Sequence, residues 1–522
     1  MNAADRRPAE RAAFRFLASF DAGANRLYGW RANPLYQSGT IVVACFLLML
    51  LTGLWLVLFY RVGAPYDSVA RITGDRWVGN WMRGVHRYAS DAAVLATLVH
   101  AFRMFAQGRS WGPRALAWVS GVVLLGLILA CGWTGYVMVW DTFGQSLARE
   151  GARMLDALPI LSEPTSRAFT GERPLPPAFF FLNLFAHIGI PLAMGIGFWL
   201  HLSRVARPAL LPPKPLLYGL VGGLVLISLA LPIGMLPEAS PFHAPAMVRL
   251  DLFYAFWLPF TRWLRPGPAL LLMIGSALAL LSVPLVTRRR AAAPPPSTVD
   301  EDLCVGCEQC AADCPFEAIT MVTRPPGGRS ELVARVDPAR CVSCGICAGS
   351  CAPMGVGPPG RTGRDQLSAA RAFLDDPARR SGEHVVICCD RGAERWGDAI
   401  AAEGAAVLPV DCAGNLHTSI IELCVRGGAA GVLVVACPPR DCWNREGPRW
   451  LLARVYHDRE AELQARVDRR RVRVTYANAS EATEVLAAYR GFVDDTRPLG
   501  AGGADPGEVG AECEPVAAEE QS

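Results

Sequence analysis

Trp81-Met-Arg-Gly-Val-His86-Arg87 and, further along the same apolar run, His100-Ala-Phe-Arg103 decide how the first half of this 522-residue chain is read. His86 and His100 are fourteen residues apart, and so are His187 and His201 in a second apolar run. On a helix that separation is ~21 Å of rise and about four turns, so each pair lines one face. Ionisable side chains inside lipid-spanning helices mark function by default. Antiparallel packing of the two helices sets His86 opposite His187 and His100 opposite His201. Facing imidazoles suit iron and can grip a haem from both axial sides. The competing reading is four polar residues that only tie helices together, and two pairs of equal spacing speak against it. Gly39 with Gly53, and Gly121 with Gly135, repeat the fourteen-residue interval in neighbouring runs. Glycine at two levels leaves room for two flat macrocycles, although it also serves plain helix packing. Arg83, Arg87 and Arg103 stand beside the histidines as candidate propionate partners, or as arginines snorkelling to the interface.

The composition fits a membrane part joined to a soluble part. Apolar residues make up 52% of the chain and charged residues 19%, with a mean hydropathy of +0.25. Spans are expected at about 39–60, 84–105, 115–138, 179–202, 216–236 and 266–287. Six crossings put both ends on one side. Arginines crowd the segment before the first span, the second-to-third connection and the stretch after the sixth, which makes that side the cytoplasm of a cell inner membrane. The polar, Arg-rich start gives no sign of a signal peptide. A net charge of +4 excludes a strongly basic nucleic-acid binder.

The first half resembles the cytochrome b family, nearest to its shorter chloroplast-type form. The residues that carry the likeness are Trp81–Arg87, His100–Arg103, Pro113–Gly121, and Gly132-Trp-Thr-Gly-Tyr136 leading to Trp140-Asp141. The resemblance covers about residues 15–210 and implies a four-helix bundle with two haem b that exchanges electrons with quinone. It implies that His86 and His187 hold the outer haem, and His100 and His201 the cytoplasmic one. Gln37 stands where chloroplast-type members attach an extra haem to cysteine. Asp251-Leu-Phe-Tyr254 is the nearest counterpart of the family's Pro-Glu-Trp-Tyr, which is absent.

Cysteine is the second signal. Of 17 cysteines, fourteen fall between residues 304 and 442, a clustering that suits metal or redox chemistry rather than disulfides. Cys304-x2-Cys307-x2-Cys310-x3-Cys314-Pro and Cys341-x2-Cys344-x2-Cys347-x3-Cys351 form the bacterial two-cluster ferredoxin pattern, in which the fourth cysteine crosses over. One [4Fe–4S] cluster is thus expected on Cys304, Cys307, Cys310 and Cys351, and another on Cys341, Cys344, Cys347 and Cys314. Structural zinc is the alternative. Pro325–Gly328 reads as a hairpin turn.

Beyond a loop near 352–363 the period changes to short apolar strands at His384–Cys389, Ala406–Asp411, Gly431–Ala436 and Arg471–Tyr476, alternating with helical stretches. That is the pattern of a parallel, flavodoxin-like sheet. Cys388, Cys389, Cys412, Cys437 and Cys442 fall at strand ends or in the next loop, on the edge where such sheets place function. Residues 383–495 resemble the delta, or iron–sulfur, subunit of methyl-viologen-reducing hydrogenase through Cys388-Cys389, Asp411-Cys-Ala-Gly414 and Cys437-Pro-Pro-Arg-Asp-Cys442. The resemblance implies a [2Fe–2S] cluster and electron exchange with heterodisulfide-reductase-type flavin proteins. Whether Cys388 or Cys389 is the ligand stays open. Zinc and buried reduced thiols are the alternatives, and Cys424 reads as core.

The expected fold is therefore multidomain. A short N-terminal segment (1–38) precedes an all-α transmembrane cytochrome b-like bundle (39–210) and two further spans (211–290). A linker (291–297) leads to an α+β ferredoxin-like domain (298–360), an α/β flavodoxin-like domain (383–495) and an acidic disordered tail (498–522). The expected role is a membrane electron-transfer subunit of a quinone-linked oxidoreductase complex. Its partners would be membrane quinone and a cytoplasmic heterodisulfide-reductase-like or other flavin/iron–sulfur oxidoreductase; a homodimer is compatible. Reverse flow from quinol, or a docking platform with a zinc or metal-free C-terminal domain, are the other readings.

Overall fold

The computed structural model describes residues 8–158, 164–169, 175–203, 208–240, 242, 251–288, 294–324, 330–376, 383–457, 459 and 461–499. The turn at 325–328, linker residues 291–293 and the tail from 500 onward lie outside them. The chain divides into two units, Gln37–Arg288 and a second that joins Met1–Tyr36 to Arg289–Ser522.

A helix α1 (Pro8–Ala32) precedes the longer apolar helices of the first unit, which are α2 (Ser38–Val57), α3 (Gly79–Ala106), α4 (Ala115–Val139), α5 (Pro177–Ser203), α6 (Lys214–Ala230) and α7 (Pro266–Thr287). All but α6 are long and apolar enough to cross a membrane. Helix α6 has 17 residues, against an expected run to 236. Pro232 ends it early, because proline disfavours helical backbone in the residue before it. At 1.5 Å per residue it still reaches ~25 Å, the lower end of spanning length. Helix α2 packs along α3, and α4 along α5. Phe46, Val94, Leu124, Ile128 and Met194 join the four helices in one apolar core. Leu51, Leu54, Phe185 and Trp199 point outward and exposed, as lipid-facing side chains do.

In the second unit, β1 (Thr298–Val299) pairs antiparallel with β4 (Val356–Gly357), and β2 (Ile319–Thr323) with β3 (Leu332–Val336). The cysteine loops hang between these ribbons. Strands β5 (His384–Cys389), β6 (Ala406–Val410), β7 (Gly431–Ala436) and β8 (Val472–Tyr476) follow. They form one parallel sheet in the order β6-β5-β7-β8, the start of the flavodoxin-like order. Side chains alternate across a strand. Val385, Ile387 and Cys389 therefore enter one core layer with Leu451 and Val455. Val386 and Cys388 enter the opposite layer with Trp396, Ile400, Tyr489 and Phe492.

Residues 8–36 are more than a leading segment. Asn25 donates to Glu481 (2.7 Å), Arg26 pairs with Glu484 at 2.8 Å, Trp30 meets the edge of the Tyr476 ring, and Asn478 donates to the Tyr36 hydroxyl. Helix α1 thus docks on the C-terminal α/β domain.

Candidate functional site

The four histidines meet in the bundle as two pairs. The His86 and His187 ring centroids are 6.3 Å apart. Two imidazoles bonded to one metal at about 2 Å each put their centroids about 6 Å apart, so this pair fits a shared iron. His100 has His201 as its neighbouring imidazole. Each of the four glycines lies directly against one ring. A Cβ built on Gly39 would sit 3.1 Å from His100, on Gly53 3.1 Å from His86, on Gly121 3.4 Å from His201, and on Gly135 3.0 Å from His187. The sequence suggested room for macrocycles; the nearest groups that need the room are the imidazoles themselves.

A second repeat accompanies these glycines. Every one of these glycines follows a hydroxyl residue: Ser38, Thr52, Ser120 and Thr134. Thr52 Oγ1 lies 2.9 Å from His86 Nδ1, Ser120 Oγ 2.9 Å from His201 Nδ1, and Thr134 Oγ1 3.0 Å from His187 Nδ1. Each hydroxyl has one proton, and each spends it on a helical carbonyl: Leu48, Ala117 and Cys131 respectively. The oxygen must then accept from Nδ1–H. That fixes the tautomer and leaves Nε2 with a free lone pair, which is what an axial metal ligand requires. Ser38 occupies the matching place before Gly39, and its buried hydroxyl has no hydrogen-bond partner among the described residues.

The arginines have protein partners. Arg87 forms ion pairs with Asp91 and, at 2.7 Å, with Asp251. Tyr136 bonds to both Arg87 and Asp251, and Tyr254 to Ser90. This polar knot adjoins the His86–His187 level, since Arg87 follows His86 and Tyr136 follows Gly135. Arg83 donates to Thr73 Oγ1 and to the Ile233 carbonyl. Arg103 is buried.

The ferredoxin cysteines gather in crossed sets. One cavity is lined by Cys304, Cys307, Cys310 and Cys351, the other by Cys314, Cys341, Cys344 and Cys347. Gly306 (φ 72°) and Gly345 (φ 77°) adopt left-handed backbone inside the two motifs, which lets each loop curl around its cavity. Backbone N–H groups of Ser297, Ala318 and Gly355 point at the sulfurs of Cys341, Cys314 and Cys351, at 3.3–3.4 Å. Such donors stabilise thiolate and suit cluster ligation.

Cys389, Cys412, Cys437 and Cys442 converge at the carboxyl edge of the sheet. Cys389 reaches both Cys412 and Cys437, and Cys412 reaches Cys442. Ala413 N–H donates to Cys389 Sγ (3.1 Å). Hydrogen bonds from Cys389, Cys442 and Asn444 hold the Cys412 thiol well below its usual range. A Cβ on Gly447 would lie 3.3 Å from Cys412 Sγ and 3.4 Å from Cys442 Sγ. Cys388 faces the other layer of the sheet, so the pair left open by sequence is separated by strand alternation. Among the described residues no three His, Cys, Asp or Glu side chains gather tightly enough for a single ion. Cys424 is buried in the core, as expected.

Comparison with known proteins divides the chain in the same way. Residues 27–206 match the family cytochrome b/b6/petB, residues 303–355 the 4Fe-4S dicluster domain, and residues 385–500 the delta subunit of methyl-viologen-reducing hydrogenase. A solved chain titled "Hyperthermophilic respiratory Complex III" is similar over 48% of this chain and 75% of its own, at 18% identity and a TM-score of 0.39. Haem b and [4Fe–4S] clusters are the groups implied by the first two families. The chain is a multi-pass membrane electron-transfer subunit whose segments match, in order, cytochrome b, a 4Fe-4S dicluster domain and the hydrogenase delta subunit.

Proposed function

We propose that this chain links a cytoplasmic flavin or iron–sulfur oxidoreductase of the heterodisulfide-reductase kind to the quinone pool, with electrons entering at the C-terminal domain. His86 with His187, and His100 with His201, would each hold one haem b. Cys304, Cys307, Cys310 and Cys351 would hold one [4Fe–4S] cluster, and Cys314, Cys341, Cys344 and Cys347 the other. Cys389, Cys412, Cys437 and Cys442 would hold a [2Fe–2S] cluster. When bound, these groups supply one-electron exchange. The observation that carries the reading is the opposed imidazole pair at 6.3 Å inside apolar helices, because it gives the chain a redox site within the membrane. The docking of α1 on the C-terminal domain supports a common side for both flanks, and the arginine distribution makes that side the cytoplasm of the inner membrane.

Contact between the two iron–sulfur regions supports transfer between them. A Cβ on Gly345, between Cys344 and Cys347, would collide with Asn415, three residues past Cys412. His417 Nε2 lies 3.2 Å from the Cys351 carbonyl, and burial pulls its pKa down to about 4, so it stays neutral. Arg361 binds both Asp411 and the Ser343 carbonyl. Iron and acid-labile sulfide analysis of the purified chain tests the assignment. We expect about ten non-haem irons per chain; about eight would remove the C-terminal cluster from the scheme and leave that domain as a docking platform.

A further inference from the structure

Arg454 lies where the two iron–sulfur regions meet. It is only 1% exposed. Its guanidinium donates to the carbonyl of Ile346 (3.3 Å), to Ser350 Oγ (3.0 Å) and to the carbonyl of Gly414 (2.7 Å). Ile346 lies between Cys344 and Cys347, Ser350 precedes Cys351, and Gly414 is two residues past Cys412. One side chain thus braces cysteine loops of both the ferredoxin and the α/β domain.

Its charge shares a carboxylate, Asp313, with Arg459. Arginine is almost never fully buried unless paired, and a buried charge left uncompensated is strongly destabilising. Yet the three hydrogen-bond acceptors of Arg454 are neutral, and among the described residues no carboxylate forms an ion pair with it. Asp313 is the carboxylate that acts on it most strongly, but Asp313 also accepts from the Ser350 hydroxyl at 2.6 Å and pairs with Arg459, so two arginines share it. The sulfurs of Cys347 and Cys412, one from each cysteine set, also act on the guanidinium. A cluster bound by four thiolates carries net negative charge, and so would add to the counter-charge of the one shared carboxylate.

We infer that Arg454 is a redox-positioning residue: its fixed cation lies between the C-terminal cysteine site and the ferredoxin site of Cys314, Cys341, Cys344 and Cys347, and favours the reduced state of both. This rests on the cluster assignments above. A buried positive charge stabilises the negative charge gained on reduction, and net charge and local hydrogen bonds set cluster potentials. Raising both sites together keeps them close in potential, as stepwise transfer between them requires.

The test compares Arg454→Met, Arg454→Gln and Arg454→Lys in the full chain by EPR-monitored redox titration, with iron content measured in parallel. In the two neutral variants we expect both potentials to fall. At fixed ambient potential the reduced-to-oxidised ratio at each site should drop about tenfold, about 59 mV for a one-electron couple. The lysine variant should recover most of the shift, and the haem titrations should not move. Neutral variants that fail to retain iron while the lysine variant retains it would also support a charge requirement. Unchanged potentials in a neutral variant with full iron, or equal shifts in all three variants, would overturn the role of the charge. A wild-type chain lacking iron at the C-terminal site would instead overturn the cluster assignment, and the iron measurement separates that outcome from the others.

Discussion

Cys389→Ala removes about two non-haem irons per chain, whereas Cys388→Ala removes none. The two residues are adjacent and equally deep, with side chains no more than 5% exposed. Cys389 lies on the sheet face where Cys412 and Cys437 are within its reach, and Cys412 in turn reaches Cys442. Its loss opens one corner of the site and leaves the Ala413 N–H without its acceptor. Cys388 packs against Trp396, Ile400, Tyr489 and Phe492. Removing its sulfur leaves a small apolar void, which costs about 1 kcal/mol of stability. Iron content and the EPR signal of the C-terminal cluster check both variants. Loss of iron in the Cys388 variant, with retention in the Cys389 variant, would reverse the assignment.

Gly135→Val abolishes the haem level formed by His86 and His187 while leaving the other. A Cβ at position 135 would already lie 3.0 Å from His187 Cε1, so valine forces the imidazole away from the position where Thr134 and the Cys131 carbonyl hold its Nδ1. Misplacing an axial ligand by an ångström loses the tautomer control that prepares it for a metal. The reduced-minus-oxidised b-type absorbance should fall by about half. Gly126→Val is the matched control, since it lies in the same helix and a Cβ there meets nothing within 4 Å. Equal losses in the two variants would mean that the glycine acts through helix stability rather than through the histidine.

Local repeats made much of this legible in the sequence. The fourteen-residue spacings of histidine and glycine, the two Cys-x2-Cys-x2-Cys-x3-Cys runs and the alternation of apolar strands with helices all translate directly into backbone geometry. What stayed hidden depends on contacts remote in sequence. The choice between Cys388 and Cys389 needed the facing of β5. Arg87 pairs with Asp251, which lies 164 residues away, and Arg454 reaches Ile346 across 108; neither leaves a local trace. The docking of α1 through Asn25 and Arg26 is of the same kind. The hydroxyl before each glycine was visible as a repeat, but its meaning rests on a hydrogen bond from another helix.

Haem b content per chain, measured as the pyridine haemochrome of the purified full-length protein and of its His100→Ala and His187→Ala variants, tests the central claim most directly. Two stacked imidazole pairs require about two haem b in the wild type and about one in each variant. A wild type with one or none, or a variant that keeps its full content, would contradict the assignment of these histidines and with it the electron path into the membrane.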